Sequence, residues 1–134
     1  MANLSITVLD VKRVSGNFEV VTAGETIVQG QVLYLDTSDS KYNLTINSSE
    51  ATTKAAGIAL CAGGDGQPII IQTDGDITIG ATVVVGEIYL VSGAPGAIAP
   101  EEDVTVTKFV TVLGVGISTT VIRLNIDPYP VAIP

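Results

Sequence analysis

The sequence predicts an all-β fold: one compact sandwich or barrel-like domain over residues 1–134, with little or no helix. Three observations carry this expectation. Val, Ile and Thr dominate, β-branched residues that suit a pleated surface, and a helical apolar period is almost absent. Fourteen glycines punctuate the 134 residues, so short apolar runs alternate with turn signals at the spacing of sandwiches and barrels. The chain also repeats itself. Residues 24–35 read G-E-T-I-V-Q-G-Q-V-L-Y-L and residues 80–90 read G-A-T-V-V-V-G-E-I-Y-L. A second pair follows: Ala56 to Leu60 leads to Ile69 to Gln72, and Leu113 to Ile117 leads to Val121 to Leu124. Residues 24–73 and 80–126 thus read as two pseudo-repeated β units, with chance similarity between strand-turn-strand segments as the alternative. Residues 1–23 form an N-terminal β arm and 127–134 a Pro-rich tail.

The elements follow in order. Leu4 to Val11 alternates and predicts a strand. Phe18 to Val21 is a second, after a turn at Ser15-Gly16-Asn17. Gly30 sits where other residues avoid the backbone shape. Gln31 to Asp36 is a strand, residues 36–41 an exposed hairpin tip, and Tyr42 to Ile46 the returning partner. Residues 48–55 hold the only helix candidate, a single turn capped by Ser48. Ala56 to Ala62 predicts a buried strand, residues 63–68 a flexible turn, and Pro68 to Thr73 a strand that tolerates its first-position proline. Asp74-Gly75 signals a tight turn, followed by a short strand at Ile77 to Ile79. Glu87 to Ser92, Ala97 to Ala99, Thr105 to Val112, Gly114 to Ile117 and Thr120 to Ile126 complete the strands, with residues 100–103 a charged loop. The tail has three prolines in its last eight residues, so it is expected to be extended and outside any central strand. Both termini are expected to fray or to reach a neighbouring subunit.

Hydrophobic residues make up 46% of the chain and mean hydropathy is +0.50. The most apolar stretch, Ala81 to Val91, is far short of the ~20 residues of a membrane-spanning helix, so no membrane partner is expected. The surplus apolar surface must enter a core, a subunit interface or both. Six basic against 14 acidic residues give a net charge of −8, which argues against nucleic-acid binding. Lys12 and Arg13 are the one adjacent basic pair. The single Cys61 reads as a buried small hydrophobe. Met1-Ala2-Asn3 opens no secretory leader, so the triplets at Asn3, Asn43 and Asn47 carry little weight as glycosylation sites.

Catalytic chemistry is not expected. The chain has no histidine, which removes the commonest general base and most zinc and copper sites. No catalytic residue, metal site or cofactor site is assigned. Asp74-Gly75-Asp76 resembles a fragment of a calcium loop without its further ligands. Glu101-Glu102-Asp103 reads as a solvated loop. Gly63-Gly64-Asp65-Gly66 lacks the Lys-Ser or Lys-Thr and the helix of a phosphate loop. A carboxylate hydrolase would need two facing acids in a cleft.

The segments Ala23 to Tyr34, Ala55 to Ala59, Gly80 to Leu90 and Leu113 to Gly116 resemble the capsid decoration, or cement, proteins of tailed bacteriophages. The resemblance spans ~100 residues and rests on small and β-branched residues. It implies an all-β protein of the virion, made in the host cytoplasm and assembled as a homotrimer. It implies binding to the major capsid protein on the outer head surface and stabilisation of the head. The alternative is a receptor- or glycan-binding β module of a phage head fibre or tail. That reading needs Tyr34, Tyr42, Tyr89 or Tyr129 clustered at a loop end.

Overall fold

The computed structural model describes residues 3–101, 109–126 and 131–132. Its strands are β1 (Val11–Arg13), β2 (Phe18–Thr22), β3 (Val32–Asp36), β4 (Lys41–Leu44), β5 (Ala55–Ala59), β6 (Pro68–Gln72) and β7 (Asp74–Ile79). They continue as β8 (Ile88–Val91), β9 (Ile98–Pro100), β10 (Phe109–Val110), β11 (Val112–Gly116), β12 (Val121–Asn125) and β13 (Val131–Ala132). The first sheet has the order β2-β6-β5-β3-β4 and the second β1-β7-β12-β11-β8-β9, while β10 and β13 form a separate ribbon. The two sheets pack together as an all-β sandwich, antiparallel throughout their named pairings.

With β1 set aside, each sheet has one order: its first strand, then fifth, fourth, second and third. Backbone bonds outside the ladders fall in matching places. Gly30 N–H donates to the Ala59 carbonyl at 2.9 Å and Gly86 N–H to the Gly116 carbonyl at 2.8 Å. Ile27 N–H reaches the Gly63 carbonyl and Val83 N–H the Thr119 carbonyl, both at 2.8 Å. Gly30 has φ +87° and Gly86 φ +85°, the left-handed region that glycine enters without steric cost. The β3–β5 and β8–β11 pairings each carry a register shift, at Leu33/Tyr34 and at Val112/Gly114.

Period-two alternation lets the first sheet serve two cores. Leu33 points into a small core with Ala23, Ile27, Ala59, Ile69 and Ile71. Its neighbour Val32 points the other way. With Ala55 and Ile58 it joins a larger core built by the second half, including Ile77, Val91, Ile98 and Ile122. Each fully buried Ile or Leu contributes about 2 kcal/mol through removal of apolar surface from water. The junction also has polar latches. Gln72 is fully buried, and its Nε2 lies 2.9, 2.8 and 2.9 Å from the carbonyl oxygens of Ser15, Asp74 and Asp76.

Several expectations change. Leu4 to Val11 is not one strand: Val8–Asp10 is a 3-10 turn and only Val11 enters β1. Before that turn the arm bridges the second sheet, with Leu4 N–H bonded to the Ile98 carbonyl and Thr7 N–H to the Gly80 carbonyl. A bond at each end to a different segment leaves no ladder between. Phe18–Thr22 is an integral strand of the first sheet, so that sheet begins before residue 24. Asp74-Gly75 makes no tight turn; it lies inside β7, paired with Asn125 and Leu124. A Cβ on Gly75 would strike the Gly16 backbone, so glycine here lets the β1–β2 connection lie against β7. The helix is Glu50–Thr53, and its cap is Ser49, whose Oγ accepts from Thr52 N–H at 3.3 Å. Thr105 to Val112 falls partly outside the described residues; from Phe109 onward the chain forms β10 and β11, separated by the buried Thr111. In the Pro-rich tail, Val131–Ala132 pairs with Phe109–Val110, and residues 127–130, 133 and 134 lie outside the described residues. Cys61 is half-buried, and its Sγ accepts from Ile70 N–H at 3.2 Å.

Candidate docking surfaces

Residues 11–22 run along one side of the molecule. β1 ends the second sheet and β2 ends the first, and the corner between them is clamped. Asp74 accepts from Asn17 N–H at 2.7 Å and from its side-chain amide at 2.9 Å. These two bonds, the backbone one first, hold the Asp74 carboxyl below its usual range. Because β2 pairs with β6 from Phe18↔Gln72 onward, Val21 packs against the small core while Phe18 and Val20 face out. Phe18 is 53% exposed, Val20 67% and Val14, at the corner, 57%. Arg13 lies 5.0 Å from the Phe18 ring centroid, and its Nη1 donates to the Gly16 carbonyl at 3.0 Å. An apolar terminal strand is a template for strand addition by another chain; here the template is the Phe18 to Val20 part, because just past β2 Ala23 bridges Tyr42 of β4 and Gly24 N–H donates to the Tyr42 carbonyl at 2.8 Å.

A second surface is the outward side of the second sheet. Ile88, Val112, Gly114, Val115, Arg123 and Asn125 line a shallow groove of about 220 Å³. Ile88 is 39% exposed. Arg123 Nε pairs with Asp76 Oδ1 at 2.9 Å, and this hydrogen bond is the main reason that the Asp76 carboxyl sits below its usual range. A third, open and polar cleft of about 670 Å³ runs between the arm and the second sheet, with Ser5, Thr7, Asp10, Lys12, Thr82 and Thr119 among its walls.

The residues singled out from sequence are dispersed. Tyr89 is buried, its hydroxyl accepting from Val84 N–H at 3.0 Å. Tyr42 faces Leu35 across β3–β4 while Tyr34 faces Asn43, so the two tyrosines lie on opposite sides of the sheet. Tyr129 lies outside the described residues, as do Glu102 and Asp103. Asp74 and Asp76 are engaged by Asn17 and Arg123. No group of three His, Cys, Asp or Glu among the described residues converges as metal ligands would. The Gly63 to Gly66 loop is closed by Gln67, whose Oε1 accepts from Gly64 N–H at 2.7 Å. Asn47 is buried and Asn3 Oδ1 accepts from Ser92 Oγ at 2.8 Å. No helix among the described residues is long and apolar enough to cross a membrane. Sequence reasoning picked Lys12 and Arg13 but missed Val14, Phe18, Val20 and Arg123. The alternation of Phe18, Val20 and Thr22 with Glu19 and Val21 was a signal, but it does not say which side is covered.

No family model, no curated protein and no solved structure matches this chain. Fold and surfaces together define a β-sandwich with apolar sheet surfaces that no described part of the chain covers.

Proposed function

We propose that this protein is a structural, non-catalytic component of a phage virion. It binds the outer surface of the major capsid lattice, stabilises the head and assembles as a homotrimer, and its two sheets are copies of one β unit. The observation that carries the binding role is the exposed apolar edge of Val14, Phe18 and Val20 on a strand that ends its sheet. Such an edge gains by pairing and apolar burial, whichever surface receives it. The copied unit is supported by the shared strand order and the matching glycine bonds. A lattice multiplies modest contacts through multivalency. Docking driven by apolar burial persists at high salt, which screens exposed ion pairs. The test is survival of capsids under heat or osmotic shock, with and without the protein, at low and high salt. Added protein should raise survival in both salts. Equal survival with and without it rejects the cement role and favours the receptor- or glycan-binding alternative. Protection lost only at high salt would shift the contact to Lys12 and Arg13.

A further inference from the structure

The registers place the two sheets in correspondence residue by residue. Ile58 faces Gln72 as Val115 faces Arg123, and Phe18 faces Gln72 as Asp76 faces Arg123. Leu35 faces Tyr42 as Val91 faces Ile98. Val32, Ile58 and Gln72 therefore occupy the places of Ile88, Val115 and Arg123. Glu19, Leu35 and Tyr42 occupy the places of Ile77, Val91 and Ile98.

The burial of these matched residues differs systematically. Val32, Ile58 and Gln72, on the first sheet, are fully buried, and so are Ile77, Val91 and Ile98, on the second. They cover each other, because Val32 and Ile58 share one core with Ile77, Val91 and Ile98. The counterparts are more open: Ile88 is 39% exposed, Leu35 is 42% exposed, Arg123 and Glu19 are exposed, and Val115 and Tyr42 are half-buried. So the molecule joins its halves head to tail and leaves one unmatched surface of each kind at its two ends. We infer that the outward face of the second sheet, around Ile88, Val115 and Arg123, docks on the Glu19, Leu35 and Tyr42 end of the first sheet in a second copy of this chain.

Charge complements shape. Inside the chain, Gln72 reaches the carbonyl of Asp76, next to Ile77. In the contact between copies, its counterpart Arg123, already paired with Asp76 of its own chain, comes beside Phe18 and Glu19, so the guanidinium meets a second carboxylate. Two different surfaces meet, and such a contact closes into a ring or extends as a filament. The inference rests on the self-association part of the proposed function and is independent of the capsid part.

The test uses the full chain in sedimentation velocity over a range of concentrations. Ile88→Asp and Leu35→Asp both alter exposed positions, and circular dichroism and thermal unfolding are the check that they fold. Each variant alone should lose self-association by about a hundredfold, as burial of an unpaired charge does. An equimolar mixture should form one-to-one dimers and stop there, because each partner retains one good surface. Arg123→Glu should weaken assembly, and Glu19→Arg in the same chain should restore it. A wild-type chain that stays monomeric overturns the inference, as does assembly unchanged in both Asp variants or a mixture that forms no dimer. Capsid binding by a monomer would leave the decoration reading standing, whereas assembly without capsid binding would leave only this inference.

Discussion

Gln72 shows how a single polar side chain ties two sheets. Among the described residues its amide is the side-chain donor to the carbonyls of Asp74 and Asp76, and it also serves Ser15. Gln72→Leu keeps the bulk and removes this side-chain tie, although the Asp76 carbonyl keeps the N–H groups of Val14 and Ser15 as donors, so we expect a loss of about 1–3 kcal/mol in urea unfolding. A stability within error of wild type would show that backbone rearrangement replaces the amide. Asp74 supplies a pH-dependent counterpart. Its folded pKa lies below the ordinary 3.8, so its contribution is complete above that value and fades as the pH falls through the depressed one. Thermal stability should drop below about pH 4, and Asp74→Asn should flatten the acid slope while lowering the plateau. An unchanged slope would assign the acid sensitivity to other carboxylates. Little of this was legible in the sequence. Asp74-Gly75 has the composition of a turn, and only the structure shows why glycine is needed: Gly75 has φ +81° and lies against Gly16, 59 positions earlier in the chain (75 − 16). Gln72 looks like an ordinary strand residue because its acceptors come from two separate segments.

At the level of elements, most strands were readable because alternation and turn chemistry are local: Phe18–Thr22, Val32–Asp36 and Val121–Asn125 fall where the pattern places them. The arm was not, since its composition suits a strand and its destination depends on distant partners. It closes the second sheet of its own chain, with Leu4 and Ile6 packed against the larger core. Removal of residues 1–10 should therefore lower the melting temperature. Two partly buried aliphatic side chains are worth about 1 kcal/mol each, and at this size that corresponds to roughly 4–10 °C. Calorimetry decides the matter: an unchanged melting point would mean that the arm adds nothing to the fold. The candidate surfaces were the least legible elements. A sequence shows that Phe18 and Val20 share a side, and only the sheet order shows that no described part of the chain covers it.

For the whole molecule, the arm's position has a consequence for synthesis on the ribosome. Strands β2 to β6 lie within residues 18–72, so the first sheet has all its members once that stretch has emerged. Residues 4–7 have left the exit tunnel long before, yet their backbone acceptors are Ile98 and Gly80. This segment must wait until residues 80–98 have emerged before it has a place to bind. Meanwhile Val32, Ala55 and Ile58 stand uncovered until the second half arrives, and an apolar sheet surface in that interval invites association with other nascent chains. Residues 4–7 are thus fixed only after segments made well after them, and the growing polypeptide passes through a stage in which one finished sheet is exposed on the side that later becomes its interior.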